Sequence, residues 1–239
     1  MLSIQLYSLR HEFELASETA LRSIPSLGFE GVELAGDYGW PAEKWIDILS
    51  ESGLVAPSAH VALSVLEEKF GETAAFYGAI GCQRLVIPSL PPELRNSGRY
   101  TEAARRINAI AAKAKQNGFF LGYHNHSFEF EGRSNGMQIL LAETDPSIVF
   151  FEFDTFWLEK AGQEAGGYLA EHVSRVGMIH AKDLRKTDGA DVPVGQGDID
   201  FPKIVTLAKA NHWPLVVEFE GMNASEAVKM SAAYLKSLL

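Results

Sequence analysis

Short apolar runs alternate along this chain with longer stretches in which apolar residues recur every three or four positions. The short runs are Ile4-Gln5-Leu6-Tyr7, Gly31-Val32-Glu33-Leu34, Leu54-Val55-Ala56, Arg84-Leu85-Val86-Ile87, Phe119-Phe120-Leu121-Gly122-Tyr123, Ile148-Val149-Phe150-Phe151, Gly177-Met178-Ile179-His180 and Leu215-Val216-Val217. Their length and β-rich composition predict eight strands. Between them, Phe13, Ala16, Ala20, Ile24 and Leu27 keep helical spacing, as do Ala103, Ile107, Ile110, Ala111 and Ala114, and Val228, Ala232, Leu235 and Leu239. A helix can be placed after every strand, the faintest pattern being near Glu164 to Val173. Gly28, Gly53, Gly81 and Gly118 each separate a helical stretch from the next apolar run, the place where glycine ends a helix in the left-handed conformation. Asp145-Pro146 and Asn211 mark two of the later joins.

Strands alternating with helices predict a parallel sheet covered on both faces. Eight units of about 30 residues use the whole of 1–239 as one domain, so the fold class is α/β and the expected architecture a (β/α)₈ TIM barrel. An open doubly wound sheet would call for a glycine-rich phosphate loop after its first strand. Ser8-Leu9-Arg10-His11-Glu12 stands there instead.

Composition narrows the function. The chain has 239 residues, 46% hydrophobic and 22% charged, with a net charge of -10. That charge argues against a nucleic-acid partner, since phosphate binding needs clustered Lys and Arg. Arg99, Arg105, Arg106, Lys113 and Lys115 fall on the polar face of one helix and read as solvated surface. No membrane partner is expected, because no apolar run is long enough to span a bilayer, and the first residues lack a basic leader. The expected location is cytoplasmic, and a homo-oligomer stays open. Cys82, the single cysteine, reads as a small buried filler.

In an eight-stranded barrel the chemistry sits at the C-terminal ends of the strands. Those ends carry Ser58-Ala59-His60, Tyr123-His124-Asn125-His126, Phe151-Glu152-Phe153-Asp154, His180-Ala181-Lys182-Asp183 and Glu218-Phe219-Glu220. Ionisable groups on five strand tips are hard to attribute to packing, since burying them costs free energy unless they pair or bind a metal. Singly, each has an ordinary explanation: a structural histidine at His60 or His124, a helix N-cap at Asp154, a hydrogen-bonding partner at Glu218. Together, two imidazoles and two carboxylates suit a first-row divalent ion. The segment Asp191-Val192-Pro193-Val194-Gly195-Gln196-Gly197-Asp198 lacks the Lys-Ser/Thr of a phosphate loop and reads as a barrel-top loop, with Asp200 capping a helix at Phe201-Pro202.

Several segments spanning nearly the whole chain resemble the xylose-isomerase-like TIM-barrel superfamily of sugar phosphate isomerases and epimerases. They are Gly28-Phe29-Glu30-Gly31-Val32-Glu33-Leu34, the stretch Gly122 to Phe130, Phe153-Asp154, Ile179-His180-Ala181-Lys182-Asp183, Val194 to Phe201 and Val216-Val217-Glu218. The resemblance implies one divalent metal held by His124, Asp154, His180 and Glu218. Mn²⁺ is favoured, with Co²⁺, Zn²⁺ or Mg²⁺ also possible. In most of these enzymes the fifth strand supplies a glutamate where this chain has His124. The family's epimerases use two glutamates as an acid/base pair, so His124 itself, Glu129 or Glu152 would have to replace one, or the reaction is one-sided, as in a lyase or hydratase. Trp157 stands where the family often has a substrate-binding histidine and is expected to wall off a sugar face.

These residues together predict a sugar isomerase or epimerase acting by proton abstraction next to a carbonyl of a ketose or keto sugar. Glu218 is the expected base, His124 a second proton-transfer candidate, and Lys182 the group that steadies negative charge. A salt bridge to Asp183 or Glu220 is the plain alternative for Lys182. His60, His126, Glu129 and Glu220 join Trp157 as expected substrate contacts. A metal-assisted lyase or hydratase on keto sugars and a non-catalytic sugar-binding barrel are the competing readings. A DNA-repair endonuclease, which shares the fold, is disfavoured by the acidic charge and by only seven histidines.

Overall fold

All eight expected strands form in the computed structural model, which describes residues 1–96, 98–132 and 135–239. The barrel strands are β1 (Leu2–Gln5), β2 (Gly31–Ala35), β3 (Val55–His60), β4 (Arg84–Ile87), β5 (Phe120–His124), β6 (Val149–Asp154), β7 (Val176–Ala181) and β10 (Leu215–Val217). A short antiparallel pair, β8 (Asp183–Arg185) and β9 (Ala190–Val192), lies between the last two barrel strands in sequence. Every barrel pairing is parallel, and β1 closes the ring between β10 and β2, with Leu2 opposite Leu215 and Ser3 opposite Gly31. The eight strands therefore form a closed (β/α)₈ barrel.

The helix ends follow the glycine pattern. Gly28 (φ 104°) and Gly53 (φ 64°) are left-handed caps whose N–H groups reach back to the last helical carbonyls. Gly81 and Gly118 also take positive φ. The break expected at Asn211 falls one residue later, at His212. The first strand is displaced from the expected Ile4–Tyr7: it ends at Gln5, whose side chain accepts the Tyr7 N–H and starts a 3₁₀ turn over Leu6–Leu9. The faint pattern after β6 resolves into two short helices, Thr155–Lys160 and Ala165–Glu171, divided at Gly162.

Packing around β6 is tight enough to exclude side chains from both neighbours. A Cβ on Gly122 of β5 or Gly177 of β7 would lie 2.4 Å from the ring of Phe150. Both strands thus give up a side chain so that Phe150 can lie across them. This holds β5, β6 and β7, the strands with the most chemistry at their ends, in fixed register. Cys82 is buried, as its position implied. No helix among the described residues is long and apolar enough to cross a membrane.

Candidate metal centre

Four strand ends converge as the sequence suggested. Asp154 and His180 are register partners on β6 and β7, and Glu218 directly follows β10, whose Val216 pairs with His180. His124 Nε2 lies 3.1 Å from His180 Nδ1 and 3.5 Å from Asp154 Oδ2. His180 Nδ1 is in turn 3.3 Å from Glu218 Oε2 and 3.8 Å from Asp154 Oδ2. Metal–ligand bonds of about 2.0–2.2 Å in a tetrahedron separate neighbouring ligand atoms by about 3.4 Å. The four atoms therefore have the spacing of a coordination shell. Asp154 Oδ2 is buried with no hydrogen-bond partner among the described residues, an orphaned acceptor aimed at the same point. The donor set, two imidazole nitrogens and two carboxylate oxygens, fits a divalent ion.

A second polar layer lies one step deeper, which the sequence reading did not foresee. Glu33 of β2 and Glu152 of β6 are both fully buried. Glu33 Oε1 accepts from His180 Nε2 at 2.7 Å and from Gln5 Nε2 at 2.7 Å. Glu152 Oε2 pairs with His60 Nε2 at 2.8 Å, and lies 3.2 Å from His180 Nε2. By sequence Glu152 is a candidate acid/base stand-in only, and Glu33 does not stand out. The signal for Glu152 was its position two residues before Asp154, which turns both carboxylates to the same side of the strand. For Glu33 it was an acid set between apolar residues in the middle of a strand.

The electrostatics follow from burial and pairing. Burial, then the charges of His180 and His60, hold His124 far below the usual histidine range, so its imidazole is neutral. Burial also works against charge on His180, but Glu152 and Glu33 outweigh it and raise that group. Asp154 is pushed up to about 6, first by burial, with the Glu218 charge adding to it. Glu218 feels the same burial, yet Lys182 and His180 hold it well below the usual carboxylate range.

A cavity of about 490 Å³ is lined by two of the four candidate ligands, His124 and Glu218, together with His60, His126, Glu220, Tyr7, Ser89 and Gly36. That is the size of a small-molecule site. Lys182 is buried to 1% exposure, with Nζ bonded to Glu220 and 3.6 Å from Glu218 Oε2. Its ion pair is with Glu220, not Asp183. Asp183 instead accepts the N–H groups of Leu184, Gly195, Gly197 and Ile199, which is how the glycine loop is held over the barrel. Asp200 caps its helix by accepting the Lys203 N–H.

Two expected substrate contacts lie elsewhere. Glu129 has no exposed surface, and both its oxygens are used, one by the Tyr123 hydroxyl at 2.6 Å and one by the His126 N–H at 2.9 Å. It supports the His126 backbone from below instead of meeting a ligand. Trp157 stands behind His126, their rings 5.1 Å apart, and is not among the residues lining the cavity.

Burial lifts Glu129 to about 8. Between the unfolded carboxylate value near 4.5 and about 8, the folded protein thus keeps a proton that the unfolded chain has lost. Folded stability must fall as pH rises across that window. Metal-free protein is expected to lose several degrees of melting temperature between pH 5 and 8. Glu129→Gln, which keeps the shape but cannot ionise, should make that slope shallower in thermal melts; equal slopes for the two proteins would refute the assignment.

Comparison with known proteins agrees with this architecture. A family model described as xylose isomerase-like TIM barrel matches residues 21–238. An inosose dehydratase of Clostridium perfringens is 24% identical over 243 residues, covering 85% of this chain and 82% of that protein. Among solved structures, a sugar phosphate isomerase/epimerase from Parabacteroides distasonis superposes with a TM-score of 0.86 at 24% identity, covering 99% of this chain and 93% of that one. The probable 3-DHS dehydratase AsbF from Bacillus anthracis superposes with a TM-score of 0.77 at 16% identity, covering 98% of each chain. At these identities the structural likenesses establish the fold alone.

Proposed function

The chain belongs to the xylose isomerase-like TIM barrel family, and on that premise we propose that it is a divalent-metal-dependent dehydratase of a small keto polyol. The observation that carries this reading is the one-sided acid/base set. With His124 in place of the fifth-strand glutamate, Glu218 is the one carboxylate among the four ligands that also lines the cavity, and Lys182 Nζ lies 3.6 Å from it. A base on the cavity wall with an ammonium 3.6 Å from it suits removal of a proton and departure of a hydroxyl from neighbouring carbons. The pair suits inversion less well, since that needs proton donors on opposite faces.

A divalent ion held by His124, Asp154, His180 and Glu218 would supply Lewis acidity to a carbonyl oxygen and an adjacent hydroxyl of the substrate. Glu218 takes the proton from the carbon next to the carbonyl, and the low pKa forced on it by Lys182 keeps it ionised for that step. Burial opposes the charge on Lys182, but Glu218, Asp154, Glu220 and Asp191 hold its pKa above the usual lysine range, so it enters the reaction as an ammonium. It donates a proton to the departing hydroxyl, which leaves as water while a carbon–carbon double bond forms. His60 and His126 stand on the cavity wall as neutral or paired imidazoles able to hold hydroxyl groups. Burial, with His124 next in effect, lowers His126 to about 3, so it adds no charge at neutral pH.

A sugar isomerase or epimerase is the second reading, favoured by the cavity position of His60 and His126, from which a proton could return along another direction. Both readings share the first proton transfer. Mn²⁺-loaded protein incubated with an inosose, with ketoses and with 3-keto sugars in D₂O separates them by mass spectrometry and NMR. Loss of one water from the product supports the dehydratase. Retention of mass with deuterium next to the carbonyl and a new epimer or isomer supports the second reading. No change in any substrate, with the metal bound, overturns both.

A further inference from the structure

We infer that Glu33 is the residue that orients His180 for metal binding: its carboxylate takes the Nε2–H and so leaves Nδ1 as the free lone pair directed into the cation site. The inference rests on the metal site proposed above but concerns a residue outside the ligand set.

The two nitrogens of His180 face opposite layers. Nδ1 looks to His124, Asp154 and Glu218, while Nε2 sits 2.7 Å from Glu33 Oε1. A neutral imidazole carries one proton and one lone pair, and the proton stays on the nitrogen with the closer acceptor, here Nε2, 2.7 Å from Glu33 against 3.3 Å between Nδ1 and Glu218. Two carboxylates lie near Nε2, but they are not equivalent. Glu152 is 0.5 Å farther (3.2 against 2.7 Å) and makes its short contact with His60 instead. Glu33 is itself fixed from the far side, because Gln5 Nε2 donates to the same Oε1 and Gln5 Oε1 is held by the Tyr7 N–H. The 3₁₀ turn that displaced the end of the first strand thus belongs to the support of the metal site. A run of hydrogen bonds leads from the Tyr7 backbone through Gln5 and Glu33 to His180.

His124 makes the contrast. Its Nδ1 is buried with no hydrogen-bond partner among the described residues. One imidazole of the pair is therefore held by a charged acceptor and the other is not. A carboxylate behind a ligating histidine also increases the electron donation of the ligating nitrogen, and losing such a partner typically weakens metal affinity by about 10–100-fold. The deeper cluster of Glu33, His60, Glu152 and His180 could be read as a second ion site instead. Its ion would have to displace the Nε2 proton while Nδ1 served the first site, leaving an imidazolate shared between two cations.

The test compares Glu33→Gln, which keeps size and an acceptor oxygen but loses the charge, with Glu33→Leu, which removes the acceptor. Gln5→Met, which loosens Glu33 without touching it, is a third variant should Glu33→Leu fail to fold. Mn²⁺ and Zn²⁺ affinities are measured by calorimetry on metal-free protein, and the tautomer of His180 in the Zn²⁺ form by ¹H–¹⁵N correlation of its ring. Wild type is expected to ligate through Nδ1 and bind one ion. Affinity should fall in the order wild type, Glu33→Gln, Glu33→Leu, by about 10–100-fold overall. Gln5→Met should lose a smaller factor and show exchange broadening of the His180 ring signals. Unchanged affinity and the same tautomer in both Glu33 variants, or in Gln5→Met and Glu33→Gln if the leucine variant is unfolded, would overturn the inference. Two ions per wild-type chain would overturn it in favour of the shared imidazolate. A wild type that binds no divalent ion removes the underlying metal reading instead.

Discussion

Asp154→Asn is expected to give a folded barrel that no longer holds a divalent ion and whose kcat/KM is down by about a thousandfold or more. A loss of that size corresponds to about 4 kcal/mol of transition-state stabilisation, the order a bound metal supplies. The two oxygens of Asp154 do separate jobs. Oδ1 accepts the Trp157 N–H at 2.9 Å and caps the helix Thr155–Lys160, the ordinary work of an aspartate after a strand. Oδ2 is buried, has no partner among the described residues, and lies 3.5 Å from His124 Nε2 and 3.8 Å from His180 Nδ1. Asparagine can keep the cap with its amide oxygen while presenting a neutral group to the ion. Asp154→Ala loses both roles, so its melting temperature should drop further than that of Asp154→Asn, by the cost of a lost cap of about 0.5–2 kcal/mol. Metal content by elemental analysis and thermal melts together decide the matter. An Asp154→Asn protein with full metal content would leave the aspartate as a cap alone.

How much of this was legible in the sequence depends on the distance over which each feature is encoded. The barrel was legible because strand and helix periods are local and because Gly28, Gly53, Gly81 and Gly118 mark helix ends within a few residues. The four candidate ligands were legible because a parallel barrel brings the C-terminal ends of its strands to one rim, so that tip residues can be read off without contacts. The deeper layer was not. Glu33 and Glu152 lie inside strands, and the depth at which such a carboxylate sits and the partners it meets depend on strand stagger, which irregularities in the β2–β3 and β6–β7 pairings alter. The end of the first strand was misplaced because the contest between a further strand residue and a turn was decided by a side chain, Gln5, taking the Tyr7 N–H. Glu129 is placed away from the cavity for a similar reason. It follows the fifth strand closely in sequence, but the 3₁₀ turn at Phe128–Phe130 folds it back under Tyr123 and His126.

Lys182→Met should retain metal affinity within a few-fold while turnover falls by about 10²–10⁴, the range expected for loss of a positioned proton donor. The side chain is buried beside four carboxylates: Nζ bonds Glu220, lies 3.6 Å from Glu218 and 3.9 Å from Asp191, and shares its field with Asp154. A purely structural ion pair would explain the burial, and removing it would leave Glu220 and Asp191 uncompensated and lower the melting temperature. Lys182→Arg separates the two roles. It restores a cation among the carboxylates, so it should recover much of the stability, but its broader, delocalised guanidinium does not give up a proton at neutral pH. If Lys182 protonates the leaving hydroxyl, the arginine protein stays slow. The arginine protein, which keeps a cation beside Glu218, should then still wash deuterium from D₂O into the substrate beside its carbonyl, since the block falls after the step of Glu218. Recovery of full turnover in Lys182→Arg would reduce the lysine to a counter-charge. Loss of deuterium exchange together with turnover would instead make Lys182, and not Glu218, the group that removes the proton.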